Sequence, residues 1–310
     1  NTIDIGRMFT MSWVAISLIA ASVTAMISIF DKTIIGYARS QLTLPLLIGF
    51  SQTTIGIVVI SFVIASNSAK WDGVIWSLIS GALFGLGGQL HMRILFSREV
   101  SRTIPITETS PIFASLIAVT FLGEFLTVIQ WTAIVTTVTG AALLSLRTDS
   151  EYSKIFLDSS FYLLMLGAFI MAISNVTSKI ALDDLPILFT HGLRMLALGI
   201  VFLAFNLRTA PWEDVRSLLT KRSPALLIVS LNEIVIANVG LVLTLWALSL
   251  GSVSLVTALL GTRAFFVVAY STLVAVVWRG ALGENITPST IAVKIVSTVL
   301  IVSGVAVIVI

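Results

Sequence analysis

Cysteine is absent from this chain, so neither a disulfide framework nor a thiolate metal site is available, and the redox compartment is unreadable. Histidine is nearly as scarce, with two residues, and no H-E-x-x-H or comparable constellation occurs. An enzyme would therefore lack a convergent nucleophile, acid/base pair or metal cluster. The expectation is no catalytic residue, no metal and no cofactor. Charge is scarce as well: 11% of the 310 residues are Asp, Glu, Lys or Arg, against roughly 25% in soluble globular domains. The net charge of +3 is spread along the chain, which excludes a nucleic-acid partner. No Walker motif is present, which removes ATP as the energy source.

What is abundant is apolar surface. Hydrophobic residues make up 57% of the chain, more than a water-soluble fold of this size can hide, so the solvent for most of it is lipid. Spanning the hydrocarbon core takes about 20 apolar residues in a helix. Runs of that size lie near 11–30, 43–65, 74–96, 104–122, 126–146, 159–181, 185–206, 224–249, 252–278 and 287–310. The first run is followed by Asp31-Lys32 and not by a small-residue cleavage site, so it reads as a span and not as a cleavable signal. The reading is an all-α integral membrane protein of about ten transmembrane helices. Of the longer connections, Asn206–Ser223 opens Pro211-Trp212-Glu213-Asp214, which suits either a short interfacial helix or a solvated loop.

The two halves of the chain repeat one another. Phe121-Leu122-Gly123-Glu124 returns as Ala281-Leu282-Gly283-Glu284, and Val138-Thr139-Gly140 returns as Val302-Ser303-Gly304. Gly49 and Gly56 match Gly192 and Gly199 at one shared offset, and Lys32 matches Lys179. The offsets drift as loop insertions would make them. The expected units are residues 1–149 and 150–310, each of five helices. An odd number of crossings turns the second copy upside down, and inverted repeats around a central site are the recurrent architecture of secondary transporters.

In these residues the chain resembles the drug/metabolite transporter superfamily, specifically its ten-helix EamA-type members. Ser110-Pro111 leading to Phe121-Leu122-Gly123-Glu124 carries the match in the first half, followed by Trp131 and Gly140-Ala141-Ala142. Gly283-Glu284, Gly304 and the two matched lysines carry it in the second. The resemblance implies two inverted five-helix repeats around a central cavity, lined by helices one to four and six to nine, with the fifth and tenth outside. It also implies alternating-access transport of a metabolite and both termini in the cytoplasm. One departure stands out: opposite Pro111, where the family has a proline, this chain has Leu260-Gly261-Thr262-Arg263-Ala264.

Charged side chains inside a span cost several kcal/mol on insertion scales and are paired, hydrated or functional. Arg194, Glu233 and Arg263 fall near mid-bilayer at about 1.5 Å of rise per residue. Gln52, Gln89, Asn175, Asn232 and Asn238 reach similar depth. Two readings of the charged trio are open. In one, the three face a cavity, where one arginine pairs with Glu233 and the other meets an anionic group, as its planar fork suits. In the other, they form an internal cluster that fixes helix packing.

Glu233 and Glu108 are the candidate proton-coupling carboxylates; for Glu108 an interfacial pair with Arg102 is an equal alternative. Lys32 and Lys179 read as snorkelling anchors, and His91 and His191 as helix-end histidines. Gly81, Gly85 and Gly88 read as a small-residue packing stripe.

The expected function is secondary transport, by export or exchange, of small polar metabolites, anionic or zwitterionic. Candidate substrate contacts are Arg194, Glu233, Arg263, Gln52, Gln89, Asn175 and Asn238. The partners would be that small molecule, membrane lipids, and protons or a counter-substrate, in a prokaryotic cell (inner) membrane. A lipid flippase and, further off, a membrane enzyme are the rival functions. Basic residues concentrate on the face opposite the one carrying Arg7, Lys70 and Lys179, so the positive-inside rule places both termini outside, against the family expectation.

Overall fold

The computed structural model describes residues 3–35, 40–63, 70–97, 107, 109–145, 159–277 and 288–309. Glu108 and the Ala281–Glu284 motif lie outside the described residues, as does the side chain of Lys32. Every element is helical: α1 (Ile3–Ile35), α2 (Thr43–Val63), α3 (Trp71–Ser97), α4 (Ser110–Phe121), α5 (Val128–Ser145), α6 (Ser159–Asp184) and α7 (Ile187–Asn206). They are followed by α8 (Thr209–Thr220), α9 (Pro224–Leu250), α10 (Val253–Leu260), α11 (Arg263–Val277) and α12 (Pro288–Val309).

Among the described residues, seven stretches are long and apolar enough to cross a bilayer, and Ser110–Phe121, Val128–Leu143 and Ile295–Ile308 are shorter apolar helices. Apolar side chains cover the outside: Phe62 is 81% exposed and Leu227 77%. Water would penalise that surface heavily; hydrocarbon does not. The chain is an all-α integral membrane protein.

Helix pairing follows the matched glycines. A Cβ on Gly56 would lie 2.8 Å from the carbonyl oxygen of Gly192, and one on Gly199 would lie 2.9 Å from that of Gly49. The four glycines therefore form one seam along which the backbones of α2 and α7 touch. Gly140 and Gly304 serve α5 and α12 likewise, facing Ile301 and Thr137. The other main neighbours are α3 with α6 and with α7, α1 with α9, α4 with α6, α1 with α10 and α11, and α4 with α10. Exchanging each helix of the first half for its matched helix in the second leaves this set of neighbours unchanged except for α3 with α7, whose counterpart, α2 with α9, is a much smaller contact. On α3, Gly81 and Gly85 press against the backbone of α7, which is the packing role.

Two clasps, one across the halves and one within the second, account for Glu124 and Lys179. Glu124 accepts hydrogen bonds from the backbone N–H of Val253 (2.6 Å) and Ser254 (3.1 Å) and from the Ser254 hydroxyl, so it caps the start of α10. Gly123 precedes it at φ +67°, a left-handed conformation open to glycine at no steric cost. Lys179 does not snorkel. Its ammonium donates to the carbonyls of Leu248 (2.7 Å) and Gly251 (3.3 Å), closing the exposed end of α9.

Candidate functional site

Two helices depart from regular geometry, and both departures aim polar groups inward. In α9, Leu231–Ile236 forms a π-helical turn in which the Ala237 N–H bonds back to the Asn232 carbonyl. Such single-turn insertions shift the register and recur at functional sites. Here the shift lets two consecutive residues face the interior, Asn232 fully buried and Glu233 4% exposed. The Glu233 carbonyl takes side-chain amides from Gln52 (3.0 Å) and Asn238 (2.6 Å). In the ninth apolar run, Gly261-Thr262 interrupts the helix between α10 and α11, and Arg263 opens the second segment. That break falls where the sequence lacks the expected proline.

A cavity of about 220 Å³ lies between α1, α2, α3, α6, α7, α9 and α11. Its lining recurs at helical spacing: Thr24, Ser28 and Asp31 on α1, Phe84, Gly88 and His91 on α3, Ile48 and Gln52 on α2, and Glu233, Ala237 and Leu241 on α9. Met92, Met171, Leu198 and Phe202 make most of the remaining wall apolar. Among the described residues, none of α5 or α12 lines it.

The polar groups form one connected cluster. The Asn232 amide nitrogen donates both to Asp31 Oδ1 (2.8 Å) and to Glu233 Oε1 (3.0 Å), so a single amide bridges two carboxylates. Gln52 Nε2 reaches Glu233 Oε2 at 3.3 Å. Arg263 lies on the same cavity, close enough for its charge to act on Asp31 and on His91. The set can receive a cationic or hydroxyl donor at the carboxylates and a carboxylate or other acceptor at the guanidinium. Among the described residues, no three His, Asp or Glu side chains converge as a metal site would require.

Of the residues read from sequence, Glu233, Arg263 and Gln52 line the cavity; Arg194, Gln89, Asn175 and Asn238 do not. Asn238 stands behind the wall, its Oδ1 2.9 Å from His191 Nε2 while its amide holds the Glu233 carbonyl. Gln89 exchanges reciprocal amide bonds of 3.0 and 2.9 Å with Asn206, a lock between α3 and α7. Asn175 is half-buried on α6, outside the lining.

Arg194 is 1% exposed, packed where its guanidinium sits 5.2 Å from the Phe84 ring centre and donates one long bond (3.4 Å) to Ser174. Phe84 belongs to the cavity wall, and Arg194 lies behind it. The expected pairing of an arginine with Glu233 is not formed by Arg194.

Asp31 and His91 are wall residues outside the substrate contacts expected from sequence, and Asn232, buried behind the wall, holds the two carboxylates. For Asp31 a signal existed: Thr24, Ser28 and Asp31 share one helical face, and α1 runs on to Ile35, so the acid is inside the helix and not at its end. Asn232 was marked by its polarity at depth, but not its direction, because in a regular helix it would point about 100° away from its neighbour Glu233.

Residues 159–310 match the family model described as the EamA-like transporter family. Over 173 residues the chain is 28% identical to the probable glucose uptake protein GlcU of Staphylococcus epidermidis, covering 51% of this chain and 59% of that protein. Over 111 residues it is 34% identical to the glucose uptake protein GlcU of Staphylococcus xylosus, covering 33% of this chain and 38% of that one. The chain thus spans less than two thirds of the length of these curated relatives. A solved crystal structure of a protein superposes with a TM-score of 0.64 at 16% identity, over 96% of this chain and 95% of the other, which speaks to the fold.

Proposed function

We propose that this membrane transporter, which carries an EamA-like transporter family domain over residues 159–310, moves a small zwitterionic metabolite by alternating access. One observation carries the reading: two carboxylates and one arginine share the wall of a cavity that is otherwise apolar. Without Arg194 the site has no surplus positive charge, so a purely anionic solute would face two acids and one guanidinium. A zwitterion meets both signs, its ammonium at Asp31 and Glu233 and its carboxylate on the fork of Arg263. Phe84, Met92, Met171 and Phe202 would take an apolar body.

The largely exchange-symmetric packing supports the alternating part of the reading. Two inverted copies, residues 1–149 and 150–310, would trade conformations so that the hollow now between them closes and its mirror opens. Coupling falls to the acids. A carboxylate pair on a single amide relieves its like-charge repulsion by taking up a proton, which makes Asp31 and Glu233 the coupling pair.

A sugar is the second reading, favoured by the two glucose uptake relatives. Proteoliposome uptake separates them: radiolabelled leucine, alanine and glucose are offered in turn, each with the others as competitors. The proposal expects amino-acid uptake that unlabelled glucose leaves unchanged and an imposed inward proton gradient stimulates. Glucose uptake with no amino-acid competition replaces it with the sugar reading.

A further inference from the structure

Helix α8 is built unlike the other helices. It is short and strongly amphipathic, and it lies between the spans α7 and α9. Its inner side, Pro211, Asp214, Val215 and Leu218, is buried. Asp214 bolts it to the start of α2, accepting from the Thr43 hydroxyl (2.7 Å) and the Ser40 N–H (3.2 Å). Trp212 packs its ring 5.9 Å from Phe50 on α2 and remains 48% exposed. The helix is therefore held rigidly where two membrane-crossing helices end.

Its outer side combines two chemistries. Arg208, Arg216, Lys221 and Arg222 are exposed, with Glu213 as the exposed acid among them. Trp212 and Leu219 stand exposed between these cations. Arg222 has φ +48°, a left-handed backbone that a non-glycine residue adopts at a cost of roughly 1 kcal/mol. A glycine would close α8 without that strain, and the chain places a cation there instead.

We propose that the outer face of α8 is a binding site for anionic phospholipid headgroups. The cations would meet the phosphate, and Trp212 and Leu219 would enter the boundary between headgroups and acyl chains. Cations interleaved with Trp and Leu on a fixed helix at a span end fit that boundary, where charge attraction and apolar burial act together. A soluble anion would use the cations and leave the apolar pair in water.

The test uses native mass spectrometry of the purified full chain in micelles holding equimolar phosphatidylglycerol and phosphatidylcholine. The chain should retain phosphatidylglycerol in preference, and R208Q/R216Q/K221Q/R222Q should lower that preference by more than about tenfold. The charge-keeping R208K/R216K/R222K should retain it, and W212A should weaken retention without changing its salt dependence. Equal retention of the two lipids by the unmodified chain overturns the proposal. So does displacement of bound phosphatidylglycerol by soluble glycerophosphate at matched concentration. A quadruple variant that melts with the parent yet keeps the preference places the lipid elsewhere and also overturns it.

Discussion

Two groups of charge are buried within these helices, and they are solved differently. Around the cavity, Asp31, Glu233 and Arg263 border a hollow, and the carboxylates are held by amides from Asn232 and Gln52. One layer away, Arg194 has no hollow. It lies against the Phe84 ring and Ser174, with its Nε and Nη1 donors unpartnered. Ser80 and Ser174 tie α3 to α6 beside it through reciprocal hydroxyl-to-carbonyl bonds of 2.8 Å. Depth in the membrane is common to both groups. Access is not, and access decides which of them can meet a solute. An intramembrane ion is thus a marker for a site only when a cavity reaches it.

The comparison is broken most directly by Arg263→Gln. Uptake in proteoliposomes should fall by about a hundredfold or more, because removal of one partner leaves a desolvated charge unmet. Asp31→Asn and Glu233→Gln come next. Each should weaken binding of the labelled solute, whose ammonium loses one carboxylate, and lose stimulation by an imposed proton gradient; stimulation intact in both variants removes the acids from coupling.

Arg194→Met sharpens the contrast from the other side. Replacing an underpartnered buried guanidinium with an apolar chain should leave the melting temperature in detergent unchanged or raised. Uptake should keep its KM, and a KM raised tenfold would bring Arg194 into the solute site. The smallest effect is expected at Ser174→Ala. It should cost about 0.6–2 kcal/mol of stability, the range for hydrogen bonds between membrane helices, with uptake unaltered.

Much of the fold was legible because its determinants are local. Gly49, Gly56, Gly192 and Gly199 stood out by their shared spacing, and they form a single seam in which α2 and α7 each supply the groove for the other. The site was half legible. Glu233, Arg263 and Gln52, chosen by polarity at depth, line the cavity, but the same criterion chose Arg194, Gln89, Asn175 and Asn238, which do not. Asn232 was visible by its depth, but its direction depends on the π turn, which no periodicity announces. Lys179 was misread for a related reason: the carbonyls it caps lie at the end of α9, distant in sequence.

Sequence alone determined the solvent of this protein and its helical class, since apolar content and the length of apolar runs are properties of a strand of letters. Which buried charges share a cavity was decided only in three dimensions. That assignment depends on how the halves mesh and on a one-residue slip in α9, and hydrophobic patterning is blind to both.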